Sequence, residues 1–283
     1  MKIFKFDTCL KFSKRLISQI LPPFLIILMK RIKTSNSKKY SSFQDALLDC
    51  QNLGYLDSEI ANHVKNKTQK LVSESFENYE LSESDLRILL MAFRASQRGS
   101  LKVLDFGGAA GYHYFLFKKW CTANTAVEWT VVETKTMVDK CIDLQNSELR
   151  FVSNIPTDRK SSFDLILAAS SLQYTSDPLA VLTELLQMNS TFFCITKTPM
   201  LSSSETLICI QASKLSDHGP GKKFIGGENE LVLTPVTFMF KDSVLRKFQE
   251  ENYSFQVTQD TRSSFQFNRK EIPTFTAFGS SNY

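Results

Sequence analysis

An α/β fold built on a mostly parallel sheet is predicted by two features of this 283-residue chain. From residue 101 onward, short apolar runs alternate with stretches whose apolar residues recur at helical spacing, as in strands joined by crossover helices. The first apolar run ends in a glycine-rich turn at 107–111, where such a strand passes into a helix. Parallel strands need crossovers of this kind, so we expect helices on both faces of the sheet.

The individual elements follow from the same alternation. Strands are predicted at 101–106, 129–133, 150–152, 163–169 and 191–196, and helices at 112–120, 137–145 and 179–188. An irregular stretch rich in Ser, Gly and Lys follows Pro199 and runs to about Glu230. The end of the chain predicts a strand at 236–240, a helix at 243–251 and strands at 255–258 and 274–278. The chain therefore divides into an N-terminal segment (1–40), a helical lead-in or cap (41–98) and the α/β domain (99–283) with an insertion at about 200–232.

Charge is distributed unevenly along the chain. Residues 1–40 hold ten Lys/Arg against one acid, whereas residues 41–283 hold 24 basic against 28 acidic residues. A nucleic-acid-binding surface needs clustered cations, so an acidic body argues against DNA or RNA as the substrate. The six cysteines form no CxxC pair and no Cys/His cluster; neither a metal site nor a disulfide framework is indicated, and a reducing cytoplasm fits best.

The N-terminal segment contains an apolar run of 14 residues, 16–29, with basic residues on both sides. It is shorter than the roughly 20 residues that span a bilayer. A signal peptide is a competing interpretation, but Pro22 and Pro23 interrupt the run and no small-residue cleavage site follows. We expect residues 1–35 to lie on an anionic leaflet, at the inner face of the cytoplasmic membrane. A helix packed on the protein's own body is the alternative.

The turn after the first strand is the most informative segment. It reads Asp105-Phe106-Gly107-Gly108-Ala109-Ala110-Gly111, and its glycines permit close backbone approach to a ligand. An acid directly before the turn would repel a pyrophosphate, and the spacing is not the GxGxxG of dinucleotide sites. Glu133 ends the second predicted strand 22 residues after Gly111, a place from which a carboxylate can accept both ribose hydroxyls. An ordinary β-turn-α corner and a solvated glutamate are the plain alternatives.

This segment resembles motif I of class I methyltransferases, in which an acid-x-Gly-x-Gly-x-Gly turn surrounds S-adenosylmethionine. Ala109 stands where the motif has its middle glycine. The resemblance implies a Rossmann-like, mostly parallel seven-stranded sheet and a cofactor held by Asp105, Gly107, Gly108, Gly111 and Glu133. The fourth strand and the loop after it, 163–178, are also similar to class I methyltransferases, where this loop lines cofactor and acceptor; Ser170 is thereby a cofactor-site candidate, and Ser171, Gln173 and Tyr174 are further site candidates.

Most of the chain, and especially residues 20–55 and 101–120, is similar to a family of bacterial methyltransferases associated with surface polysaccharide such as O-antigen or capsule. The resemblance implies a sugar hydroxyl or amine as acceptor, on a nucleotide-linked or lipid-linked intermediate. A hydroxyl has a high pKa, so a base would assist its attack on the methyl group. The candidate catalytic residues are His113, His218 and Tyr174.

Two other functional classes remain open. A nicotinamide-dependent oxidoreductase would share the sheet and Glu133 but would use a GxGxxG turn. A non-catalytic partner in a polysaccharide assembly complex would keep the fold without the chemistry, and the substituted Ala109 favours it. Cofactor binding distinguishes the first class from a methyltransferase, and methyl transfer distinguishes the second.

Overall fold

The computed structural model describes residues 38–50, 57–77, 79–121, 124–156, 162–202, 207–221, 230–267 and 270–282. Its helices are α1 (Phe43–Asp49), α2 (Ser58–Ser73), α3 (Glu83–Ala95), α4 (Tyr112–Trp120), α5 (Lys135–Cys141), α6 (Pro178–Leu186) and α7 (Lys241–Glu250). Its strands are β1 (Ser100–Phe106), β2 (Ala126–Val132), β3 (Leu149–Val152), β4 (Leu165–Ala169), β5 (Phe192–Leu201), β6 (Leu207–Lys214), β7 (Leu231–Phe240), β8 (Tyr253–Phe267) and β9 (Lys270–Ser281).

The centre of the sheet is doubly wound. Strands β3, β2, β1, β4 and β5 are neighbours in that order and all run parallel. The chain returns to the middle between β3 and β4, so the switch point lies between β1 and β4, where ligands gather beyond the strands' carboxyl ends. Strand β9 lies antiparallel between β5 and β8, which departs from the all-parallel order of dinucleotide-binding domains. The expected Rossmann-like class I fold is confirmed.

The strand count differs from the expected seven. Over the described residues the sheet has nine strands, because β6 and β7 form an antiparallel hairpin within and beside the predicted insertion. Strand β7 joins the sheet through a short parallel pairing of Met200 and Leu201 with Met239 and Phe240. The Ser, Gly and Lys residues on both sides of β6 concealed its apolar run at 207–210 from sequence reasoning.

Two apolar cores cover the two faces of the sheet. One core packs α2, α3, α4 and α5 against one face, with Val64, Leu89 and Phe117 among its members. The other packs α6 and α7 against the opposite face through Leu182 and Phe248. The central strands are buried on both sides, which explains why β1 and β4 read as nearly continuous apolar runs.

Helix α3 is held over the carboxyl end of the sheet by a charged cluster. Arg87 pairs with Asp260 of β8 and with Glu83 one turn earlier in the helix, and its Nη1 donates to the Thr276 hydroxyl at 2.7 Å. Ser82 and Asp85 form a capping box at the start of α3, which satisfies backbone donors that the first turn leaves unpaired. The N-terminal turn of α3 therefore has a defined position above β4 and β5.

The N-terminal lead-in contains α1 to α3, and α1 packs on the hairpin through Ala46, Cys50 and Ile210. The predicted membrane segment 1–35 lies outside the described residues. Within the described ranges, no helix combines the length and apolar character needed to cross a bilayer.

Candidate cofactor and acceptor site

The glycines of the β1 turn are required by close contacts. A Cβ on Gly107, whose φ is +68°, would lie 2.3 Å from the Cβ of Ser171 in the loop after β4. A Cβ on Gly108 would lie 2.5 Å from the carboxylate carbon of Asp105. Gly111, with φ +76°, precedes the first residue of α4. A Cβ at Gly107 or Gly108 would therefore push the turn away from Ser171 or Asp105. Because glycine has no Cβ, the turn can lie directly against both residues.

Ala109 occupies the position at which the sequence departs from the glycine motif. Its φ is +52°, a left-handed conformation that costs an L-residue about 1–2 kcal/mol. Its N–H donates to Oε1 of Glu133 at 3.0 Å. The alanine thus adopts the backbone that the missing glycine would adopt, and it ties the turn to the end of β2.

Asp105 lies beneath the turn with no exposed surface. Its Oδ2 accepts from Trp129 Nε1 at 3.2 Å and lies 2.9 Å from His113 Nδ1, and its Oδ1 has no hydrogen-bond partner among the described residues. Burial lowers the pKa of His113, but the charge of Asp105 and its hydrogen bond raise it more, and the net direction is upward. Asp105 would therefore act on a bound molecule indirectly, by orienting the His113 imidazole and by lying directly beneath the Gly108 backbone.

Glu133 is fixed beside the turn by two backbone donors. Its Oε1 accepts from Ala109 N–H, and its Oε2 accepts from Thr134 N–H at 2.8 Å. Burial raises the pKa of Glu133, the two N–H groups lower it, and the net direction is upward. Each carboxylate oxygen keeps a further lone pair, so Glu133 can accept bonds from a ligand without leaving its position.

The loop after β4 supplies several polar side chains to the site. Ser171 Oγ donates to the Phe106 carbonyl at 2.8 Å, which fastens the loop to the turn of β1. Ser170 has φ +54° and its Oγ accepts from Gln173 Nε2 at 3.1 Å. Tyr174 OH donates to Gln211 Oε1 of β6 at 2.9 Å. The hairpin is thereby part of the same site, which sequence reasoning did not anticipate.

These groups surround one cavity of about 720 Å³ at the carboxyl ends of β1, β2, β4 and β5. The volume lies within the range of small-molecule and cofactor pockets. The predicted site residues that line it are Gly107, Gly108, His113, Glu133, Ser170, Ser171, Tyr174 and His218. Asp105, Gly111 and Gln173 lie behind this wall. The structure therefore brings most of the predicted site residues into a single space.

His218 also lines the cavity, and residues on the protein side of it hold it in place. Its Nε2 lies 2.8 Å from Ser213 Oγ, and burial is the main cause that lowers its pKa to about 4. The ammonium group of Lys67 in α2 donates to the carbonyl oxygens of Ser216, His218 and Gly219. The segment 216–219 is therefore a packed wall of the cavity.

Three groups of cavity residues were not predicted. Tyr79 and Ser82 donate to Asp85 Oδ2, and Tyr112 OH donates to Tyr79 OH at 2.6 Å. Gln211 and Ser213 come from the hairpin, and Lys197 comes from β5. The sequence signal for Lys197 was available: it is the single charge in the strand FFCITKTPML, and an isolated Lys in a buried strand is uncommon.

No protein-family model and no curated relative matches the sequence. Several solved structures are similar to this chain in their three-dimensional fold. The N-terminal domain of EvdMO1 with S-adenosylhomocysteine bound is 14% identical, covers 71% of this chain and 83% of its own, and has a TM-score of 0.47. The 1,6-didemethyltoxoflavin-N1-methyltransferase of Burkholderia thailandensis, with its substrate and S-adenosylhomocysteine, is 10% identical over 80% of this chain and 90% of its own, with a TM-score of 0.44. The [4+2]-cyclase SpnF is 12% identical over 70% and 80%, with a TM-score of 0.44. These similarities concern the fold.

From the geometry of the turn we expect two substitutions to change the free energy of unfolding in opposite directions. Gly107→Ala places a Cβ against Ser171 in a left-handed backbone, and we expect the free energy of unfolding to fall by about 3 kcal/mol. Ala109→Gly relieves a left-handed alanine, and we expect a gain of about 0.5 kcal/mol after the entropy of glycine in the unfolded chain is subtracted. Urea unfolding of the full chain measures both changes.

Gly99→Ala is the matched control, because Gly99 has φ +82° and open space around its Cβ position. It carries the torsional cost without the contact and should lose about 1 kcal/mol. A Gly107→Ala protein no less stable than the Gly99→Ala protein would contradict the close approach of turn and loop.

Proposed function

We propose that the protein is an S-adenosylmethionine-dependent methyltransferase. The observation that carries the proposal is the hydrogen bond that holds Glu133 beside the glycine turn, both of them lining one cavity at the carboxyl ends of the central strands. The turn offers a backbone surface without Cβ atoms, and Glu133 offers carboxylate lone pairs at the end of β2. A nucleoside with a free ribose diol fits that combination.

The groups present suit this cofactor. Gly107 and Gly108 would lie against it, Glu133 would accept from the ribose hydroxyls, and Ser170 would approach from the loop after β4. When bound, S-adenosylmethionine supplies an electrophilic methyl group. The remaining wall, with Tyr174, Gln211 and Ser213, is polar and would contact the acceptor. Binding both molecules in one cavity orders the reacting atoms and excludes water.

His113 is the base that the geometry favours. Asp105 engages Nδ1, which leaves Nε2 as the ring nitrogen open to a substrate proton, the arrangement by which a buried carboxylate orients a catalytic histidine. Nε2 of His113 would take the proton of an acceptor hydroxyl as that oxygen gains the methyl group and the carbon–sulfur bond to it breaks, which would leave S-adenosylhomocysteine. His218, neutral because of its lowered pKa, is a weaker base, and Tyr174 uses its hydroxyl to contact Gln211.

The acceptor we infer is a sugar hydroxyl or amine, on a nucleotide-linked or lipid-linked intermediate of a bacterial surface polysaccharide such as O-antigen. The family resemblance and the polar acceptor wall support it. The basic segment at residues 1–35 would hold the enzyme at the inner face of the cytoplasmic membrane, near a glycolipid acceptor.

Isothermal titration of the full chain with S-adenosylmethionine, S-adenosylhomocysteine and NAD tests the cofactor. We expect saturable binding of the first two only. Glu133→Gln should weaken S-adenosylhomocysteine binding about tenfold or more, because it replaces a charged acceptor of the ribose bonds. Glu128→Gln, an exposed acid on the same strand, is the matched control and should bind as wild type. Binding of NAD, or of no nucleoside at all, would refute the proposal.

A pH titration distinguishes the two candidate bases. By NMR, we expect the His113 imidazole to titrate above its ordinary pKa of 6.5, and the His218 imidazole near pH 4. A base must be unprotonated, so methyl transfer to an active acceptor should rise as pH increases through the His113 midpoint. His113→Gln should lose about 100-fold in rate.

The matched variant is His218→Gln, which should keep the wild-type rate profile and its midpoint. If the rise with pH persists in His113→Gln, or if His218→Gln alone abolishes it, His113 is not the base.

Co-sedimentation with vesicles tests the membrane proposal. The full chain should sediment with phosphatidylglycerol vesicles, less so in 0.5 M salt because screening weakens the attraction of Lys and Arg. Deleting residues 1–35 should leave it in the supernatant. Equal sedimentation of the truncated chain, or equal binding to uncharged phosphatidylcholine vesicles, would show that this segment does not bind an anionic leaflet.

A further inference from the structure

Lys197 is held in a strained backbone in the middle of β5. Its φ is +52°, and the pairing of β5 with β9 shifts register between Ile195 and Thr198. A lysine is strained in this left-handed conformation. Bulges of this kind re-aim side chains next to functional sites, and Lys197 lines the cavity.

The residues beside Lys197 hold this conformation in place. The Thr196 carbonyl accepts from Ser170 N–H at 2.9 Å and from Thr198 Oγ1 at 3.3 Å. The Thr196 hydroxyl lies 2.8 Å from Ser84 Oγ at the start of α3. Strand β5 is therefore tied to the β4 loop on one side and to α3 on the other, so the bulge persists despite its cost.

The ammonium group of Lys197 forms no hydrogen bond or ion pair with any residue in the described part of the chain. The acid on the neighbouring wall, Asp85, bonds other groups: its Oδ2 accepts from Tyr79 OH, Ser82 N–H and Ser82 Oγ. A half-buried cation that has no acid paired with it attracts an anion into the cavity.

Lys197 lies away from Glu133 and the glycine turn, on the far side of β4. Glu133 follows β2, the glycine turn follows β1, Ser170 follows β4, and Lys197 lies within β5. Adjacent strands lie about 4.8 Å apart, so Lys197 is about 14 Å along the sheet from Glu133. Lys197 lines the same cavity as Tyr174 and Gln211.

We propose that Lys197 binds an anionic group of the acceptor, a phosphate or a carboxylate, and so restricts methyl transfer to charged acceptors. This inference rests on the proposed function, because the acceptor is assigned to the part of the cavity that the proposed cofactor leaves free. A phosphate would belong to a nucleotide-linked or lipid-linked acceptor and a carboxylate to an acidic sugar. The strained bulge places the charge where a regular strand would not.

Titration of the full chain, saturated with S-adenosylhomocysteine, tests the site with inorganic pyrophosphate, D-glucuronate and uncharged D-glucose as probes. We expect saturable binding of at least one anion and none of glucose. Pyrophosphate alone indicates a phosphate, glucuronate alone a carboxylate, and both a general anion site. Lys197→Met should weaken the anion about tenfold or more, and Lys197→Arg should retain most of the affinity.

Lys247→Met is the matched control, since Lys247 pairs with Glu250 in α7, and it should bind as wild type. Binding of neither anion, or equal anion affinity in Lys197→Met, overturns the inference. Loss of S-adenosylhomocysteine binding by folded Lys197→Met protein also overturns it, because Lys197 would then belong to the cofactor. If wild type binds an anion through Lys197 but never binds S-adenosylhomocysteine, the proposed function fails while the anion site remains.

Discussion

The buried carboxylate of Asp105 is the constraint around which the site is arranged. It has no contact with solvent, and its partners are the indole N–H of Trp129 in β2 and the imidazole of His113 in α4. Gly108 passes so close above it that a Cβ would overlap the carboxylate. A buried charge must be compensated by nearby donors, so strand, turn and helix are obliged to meet at this point.

Part of the backbone strain lies beside this carboxylate. Ala109, Ser170 and Lys197 are non-glycine residues with positive φ; the first two follow β1 and β4, and Lys197 lies within β5. All three line the cavity. Such conformations persist only where surrounding contacts determine them; here the contacts of Glu133, Gln173 and Thr196 do so. The backbone of the central strands is regular elsewhere, and these three irregular positions lie where a ligand would bind.

Two parts of the fold line the cavity. The central parallel strands supply the turn and Glu133, and these would hold a nucleoside. The hairpin of β6 and β7, with the start of α3, adds Gln211, Ser213 and Asp85 to the cavity wall, where we propose that the acceptor binds. Arg87 fixes α3 through Asp260 in β8, so this wall depends on the antiparallel edge of the sheet as well as on its centre.

The sequence by itself determined the central sheet, the turn and Glu133, because these depend on local patterns: apolar runs, helical spacing, and glycines next to an acid. Helix α4 was predicted at its observed bounds for that reason. Only the tertiary structure decided which residues share the cavity. Asp105 lies behind His113, and Lys197 and Gln211 enter from strands whose partners are distant in sequence. Register shifts and long-range pairings are set by packing across the whole sheet, and no local pattern encodes them.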